Sequence, residues 1–147
     1  MDLLRHKKAH LNYEILEQFE AGIELEGGEV KSLRAHQGSL EGARAAVRGG
    51  EAYLIGATIP PYQPKNTAKD YDPERPRRLL LHKKELAELL GAESRKGLTI
   101  VPISMYNKGR KVKVAIAIVR GKKKFDKRED LKKRDTDRDI QRTLKGE

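Results

Sequence analysis

The cleanest hydrophobic pattern lies late in the chain, where Val112, Val114, Ile116 and Ile118 alternate with Lys111, Lys113, Ala115 and Ala117. A period of two predicts a strand with one core face and one small or basic face. Residues 98–106 and 110–120 flank Asn107-Lys108-Gly109, and residues 43–48 and 52–59 flank Gly49-Gly50-Glu51, so each pair predicts a hairpin. Pro60-Pro61 stops the earlier hairpin, and residues 63–76, rich in Pro, Asn and Asp without an apolar period, form a polar loop. Leu79-Leu80-Leu81, between Arg77-Arg78 and His82, is too short for a helix and predicts a buried strand. A further short strand is expected over 23–25. After Gly27-Gly28, the run Val30, Ser32 and Leu33 with Lys31 and Arg34 reads as strand or strand edge.

Two stretches carry helical spacing instead. Asn12 fits an N-cap, Tyr13, Ile15, Leu16 and Phe19 give one apolar side, and Gly22 fits the left-handed residue that ends a helix. Leu86, Leu89 and Leu90 share a side of a second helix over 83–90, closed by Gly91. Residues 3–11, with Arg5, His6, Lys7, Lys8 and His10, read as a basic arm. About six strands with two or three short helices predict a mainly β fold. Curling the antiparallel sheet into a closed barrel would remove its edges. The 147 residues suit one domain, a body over 1–120 followed by a tail over 121–147.

The tail breaks the pattern. Phe125, Leu131, Ile140 and Leu144 are its only large apolar residues among eleven Lys or Arg and seven Asp or Glu. So little apolar surface cannot offset the entropy of ordering the chain, and the free tail is expected to be largely disordered. Glu129 with Lys133, Asp130 with Arg134 and Asp139 with Arg142 nevertheless have helical spacing. A helix that forms only against a partner satisfies both observations.

Charge identifies the kind of partner. Lys plus Arg number 32 against 22 Asp plus Glu, a net of +10, which favours a polyanion through counterion release. No basic amphipathic helix with a leucine or aromatic face suggests a membrane surface. The absence of cysteine excludes disulfides and thiolate chemistry. With no apolar leader and no stretch near the roughly 18 apolar residues of a membrane span, the expected location is cytoplasmic.

No catalytic constellation stands out, and no cofactor or metal is expected. The phosphate-cradle pattern GxxxxGK[ST] is missing. His6 and His10 have i,i+4 spacing without a third ligand, and Asp70, Asp72 and Glu74 sit beside Pro73 and the cations Arg75, Arg77 and Arg78. A metal-dependent nuclease built on that acidic loop is the weakest of three readings. The others are a specific RNA-binding module and a generic ribosomal-RNA-binding barrel. Tyr13, Tyr53, Tyr62, Tyr71 and Tyr106 lie among basic residues and could stack bases, although packing accounts better for Tyr13 and Tyr53.

Several strings, in one order and spacing, resemble the SsrA-binding protein (SmpB) family. They are Lys7-Lys8-Ala9, then the run from Phe19 to Leu25 (FEAGIEL), then Gly28 to Arg34 (GEVKSLR). Arg77 to Leu86 (RRLLLHKKEL) and the ending Gly121 to Arg128 (GKKKFDKR) complete the set. Each is weak alone; together they are specific and span the chain from about Arg5 to Leu144. The resemblance implies an oligonucleotide-binding-type barrel that grips the tRNA-like domain of transfer-messenger RNA (tmRNA). It also implies delivery of that RNA, one protein to one RNA, to ribosomes stalled on mRNA without a usable stop codon. No bond chemistry is implied. The family's contacting glutamate and leucine fall on Glu20 and Leu80, with His6, Lys7, Lys8, Lys31, Arg34, Arg77 and Arg78 as further RNA-binding residues of the body. Lys122, Lys123, Lys124, Phe125, Asp126, Lys127, Arg128 and Leu144 correspond to a tail that enters the decoding centre and the empty mRNA path as a helix. The chain departs from the family at His6, usually Asn, at Ala43-Arg44, often Ser-Tyr, at Phe125, often an imidazole, and at Thr136, where an aromatic is common.

Overall fold

A computed structural model describes residues 2–63, 65 and 69–122. Both predicted hairpins form. β3 (Arg44–Arg48) and β4 (Glu51–Ile55) join through Gly49 and Gly50, whose φ values of 59° and 79° are those the tight hairpin turn requires. β6 (Leu98–Lys108) and β7 (Lys111–Gly121) pair along their whole length. The alternation in β7 divides the molecule into two apolar clusters. Val112, Val114, Ile116 and Ile118 face the main core with Leu33, Leu54, Leu89 and Met105. Ala117 and Val119 face a smaller cluster with Val101, Ile103 and Ala9, the last from the one-turn helix α1 (Ala9–Asn12).

Three segments differ from the sequence expectation, each for a local reason. Residues 13–22 are not helical: β2 (Tyr13–Ile23) is a strand that pairs with β7 and then with β5 (Arg77–Leu80). A bulge between Ile15 and Glu17 shifts its phase. Tyr13 and Ile15 therefore pack on the small cluster, whereas Phe19, Ala21 and Ile23 turn to the main core. The slipped period imitates helical spacing. Residues 30–34 are not a strand but belong to α2 (Gly27–Arg34). Its first turn is held by reciprocal capping in which the Glu26 N–H donates to the Glu29 carboxylate at 2.8 Å. The N-terminal arm is instead a strand, β1 (Asp2–Arg5), which buries Leu3 and Leu4 and pairs with β6. The second predicted helix exists as α3 (Lys83–Glu93) and runs through Gly91 before ending.

The seven strands form one antiparallel sheet in the order β1-β6-β7-β2-β5-β4-β3. It is mainly β as expected, but the sheet does not close into a barrel. β3 comes up against β6 without pairing to it, and α3 packs on both strands. One group on the edge of β3 is met by that helix: Val47 N–H donates to Glu93 Oε1 at 2.9 Å. A side-chain acceptor thus stands where a closing strand would have offered a carbonyl.

Beneath α2 the core contains charge. Arg77 is fully buried, and Glu29 is nearly so. Arg77 Nη2 and Nε reach Glu29 Oε2 at 2.7 and 2.9 Å, while Nη1 and Nη2 donate to the carbonyls of Ala57 and Pro73 at 2.8 and 2.9 Å. Arg75 pairs with the same carboxylate, and the Tyr71 hydroxyl donates to Ile59 O at 2.7 Å. Burial alone would push the Glu29 carboxyl up; Arg75, the Glu26 N–H and Arg77 outweigh it and hold it below the ordinary carboxylate range.

Glu29→Gln leaves Arg77 buried without its counter-ion, and chemical denaturation should register a loss of about 3–5 kcal/mol. Because the folded-state pKa of Glu29 is depressed, its contribution is fully present above the unfolded pKa. It should disappear as pH falls through the folded value, so the stability gap between wild type and variant should narrow in acid.

Candidate nucleic-acid interface

The period of β5 decides which predicted residues reach solvent. Arg77 and Leu79 point into the core, whereas Arg78 and Leu80 point out. Arg77, expected to bind RNA, is therefore a structural cation with no exposed surface. Leu80 is 46% exposed, comparable with Leu16 and Leu90 elsewhere on the surface. Its strand partner is Gly22, and a Cβ at Gly22 would lie 3.2 Å from the Leu80 Cβ, so glycine lets Leu80 rest against β2.

Glu20 lies one alternation away on the same outer face. It pairs with Ala115 across β7, while Gly22 pairs with Lys113 and Lys113 with Tyr106. Two donors fix the Glu20 carboxylate: Tyr106 Oη at 2.6 Å and Lys108 Nζ at 2.8 Å. The Lys108 hydrogen bond, then that of Tyr106, holds this carboxyl below its usual range. Burial and then the Glu20 contact push the Tyr106 phenol up to about 12. The outcome is an ionised, acceptor-only group of fixed orientation beside an exposed leucine.

The remaining residues fall into different settings. Arg78 is spent on Glu24 at 3.1 Å and Glu51 at 2.9 Å. Lys31 is exposed on α2, and Arg34 Nη2 donates to Arg110 O at 3.1 Å. His6 is not part of a free arm: it is 8% exposed, with Nδ1 3.3 Å from Pro102 O and its ring edge-on to Tyr13. Lys7 and Lys8 are exposed just before α1. Lys122 joins this end, its N–H donating to Asn12 O at 2.9 Å and its Nζ to His10 O at 2.7 Å. At about 3.3 Å per residue, the run of β2 from Tyr13 to Gly22 separates this group from Leu80 by roughly 25–30 Å. Lys123, Lys124, Phe125, Asp126, Lys127, Arg128 and Leu144 lie outside the described residues.

Sequence reasoning missed Lys108, Arg110, Lys111 and Lys113 as candidate RNA contacts. The signal was present: a hairpin tip followed by an alternation that leaves one face basic. Among the described residues no three His, Cys, Asp or Glu gather as metal ligands, and no helix is long and apolar enough to cross a membrane.

Removing the stronger donor tests the electrostatics. Lys108→Ala should move the Glu20 carboxyl up toward the ordinary carboxylate range, as followed by NMR titration of the side-chain carbons, while Tyr106→Phe should move it by less.

Comparison with known proteins matches this chain along nearly its whole sequence. The model of the family described as "SmpB protein" matches residues 3–146. The SsrA-binding protein of Thermosipho melanesiensis is 51% identical over 143 residues, 96% of each chain. That of Gloeothece citriformis is 50% identical over 140 residues, 95% of this chain and 90% of the relative. A solved structure described as "tmRNA-SmpB: a journey to the center of the bacterial ribosome" superposes with a TM-score of 0.68 at 44% identity, covering 86% of this chain and 92% of that one. A family match along nearly the whole chain, with half its residues shared by such relatives, means that this chain belongs to the SmpB family.

Proposed function

We propose that this protein binds the tRNA-like domain of tmRNA with its body and delivers that RNA to stalled ribosomes, where the tail occupies the decoding centre and the vacant mRNA path. The observation that carries the reading is the placement of Glu20 and Leu80, the positions matching the family's contacts, side by side on one open face. A fixed carboxylate repels phosphate, so it selects base-edge amines or 2′-hydroxyls. Lys108 and Lys113 beside it supply the attraction for the backbone. Leu80 adds an apolar contact that only an unpaired or loop nucleotide can meet. This suits a folded RNA elbow better than a regular duplex.

The protein acts by holding and positioning: it is a cytoplasmic, monomeric RNA-binding factor with no catalytic step and no cofactor. Asp126, Lys127 and Arg128 would anchor the tail as a helix where mRNA would otherwise lie, a path lined with phosphate. A generic ribosomal-RNA barrel protein accounts for the net charge but not for the built Glu20 geometry or the family match.

Competition among tmRNA, elongator tRNA and single-stranded RNA at two salt concentrations should rank tmRNA tightest at both. Equal affinities with a steep salt slope would leave only non-specific binding. Leu80→Ala and Glu20→Ala should each weaken tmRNA binding by about tenfold, near 1.4 kcal/mol. Deleting residues 123–147 should keep tmRNA affinity within about threefold, below 1 kcal/mol, while abolishing peptide tagging on stalled ribosomes. Alanine at Asp126, Lys127 and Arg128 together should mimic the deletion.

A further inference from the structure

α3 packs on β3 and β6 with one side and borders a groove with another. The groove, about 590 Å³ in volume, runs between α3, the bulge of β2 and the start of β6. Leu16, the residue that the bulge sets out of the ladder, is 43% exposed beside it, and Leu98, Ala87 and Gly91 continue an apolar strip. Ala87 and Gly91 lie one turn apart on α3. A Cβ at Gly91 would meet nothing within 4 Å, so a second backbone can come close there. Along the strip the carboxyls of Glu17 and Glu88 lie together: desolvation first, then the hydrogen bond and charge of Glu88, push the Glu17 carboxyl up. Lys84 and Arg95 also line the groove, yet among the described residues none of these four forms a salt bridge.

Charge and chain geometry choose the occupant. Two adjacent carboxyls repel a phosphate backbone and attract a cationic peptide. The chain itself supplies one: it continues for 25 residues beyond Lys122, with ten Lys or Arg among them against seven Asp or Glu. Lys122 is close by, because Leu98 pairs with Arg120 and Glu17 with Ile118, only two and four residues back along β7, or roughly 7–13 Å. Farther on, Lys133, Thr136, Ile140 and Leu144 are spaced to share one face of a helix. A helix over 133–144 and α3 itself are each roughly 16–18 Å long. The connecting residues 123–132 reach up to roughly 33–36 Å when extended, enough to turn back onto the groove. We infer that residues 133–144 dock as a helix in this groove of their own body, Ile140 and Leu144 on the apolar strip and Lys132, Lys133 and Arg134 toward Glu17 and Glu88. Burying the two aliphatic side chains supplies the attraction that the tail lacks alone. The body is then the first partner against which the tail orders, and the docked cations are withheld from RNA until a stronger site displaces them.

The chain has no cysteine, so Thr143→Cys in the full-length protein takes a single nitroxide label on the flank of the docked helix. In the free protein the amide NMR signals of Ala87, Gly91 and Leu98 should lose intensity to the label. Gly91→Trp, which fills the groove where nothing stands within 4 Å, should restore the signals of Ala87 and Leu98. If Gly91→Trp does not fold, Glu88→Lys serves instead: it should restore part of the signal. Combining it with Lys132→Glu, Lys133→Glu and Arg134→Glu should bring the loss back. Signal loss that persists unchanged in Gly91→Trp and Glu88→Lys would put the tail elsewhere on the body, and no loss at these residues would mean that it does not dock; either result overturns the inference. Mixing labelled protein with isotope-enriched unlabelled protein tests the remaining occupant. Signal loss in the mixture would assign the groove to the tail of a second copy and overturn docking within one chain. All of this is read without RNA or ribosome, so its failure would leave the proposed function standing.

Discussion

The fold depends on one buried carboxylate. Glu29 closes the first turn of α2, neutralises Arg77 inside the core and pairs with Arg75 at its border. An isolated guanidinium in this setting would cost several kcal/mol, and replacing the whole cluster with apolar residues of the same volume could be no less stable. What the cluster adds is phase. With Arg77 committed inward to Glu29, Ala57 O and Pro73 O, the alternation of β5 has no freedom left, and Leu80 must face outward. The internal ion pair and the exposed leucine are two outcomes of one register.

Much of the sheet was legible where strands keep a steady alternation between good turn signals. β7 does so over its length, β6 does so on either side of one bulge between Pro102 and Ser104, and both hairpin turns carry glycine at the positions that need it. What failed to read did so where tertiary contacts override local pattern. The bulge in β2 makes one strand serve two cores, so its apolar residues never repeat at a constant interval. In α2, two glycines and the alternation of Val30 with Ser32 hide a helix whose start is set by carboxylates that themselves answer to distant arginines. Nothing local distinguishes Arg77 from Arg78. Only the depth of each, a property of the assembled sheet, separates a core cation from one near the surface. Barrel closure was misjudged for a similar reason, since the sequence does not announce that Glu93 would take the place of a strand at the edge of β3.

The candidate site was partly visible. Glu20 and Leu80 emerged through family likeness, with no local chemical signal to mark them. Their partners were hidden in plain view, because Tyr106 and Lys108 reach Glu20 only after β6 and β2 have both paired with β7. A face assembled from four strands can be recognised in sequence only once its register is known.

Lys122 gives the body a further property. Its backbone continues the ladder onto Asn12 and its ammonium closes the end of α1 on His10 O, so the last described residue is fastened at two points. Chain beyond it therefore begins from a fixed origin. Fully extended, that chain reaches at most roughly 80–90 Å. With the body seated on a large assembly, any contact made by residues 123–147 would be intramolecular, with an effective concentration set by this tether. A weak tail contact and a stronger body contact would then combine multiplicatively. The two-point clamp at Lys122 would act as the hinge pin of a bivalent ligand.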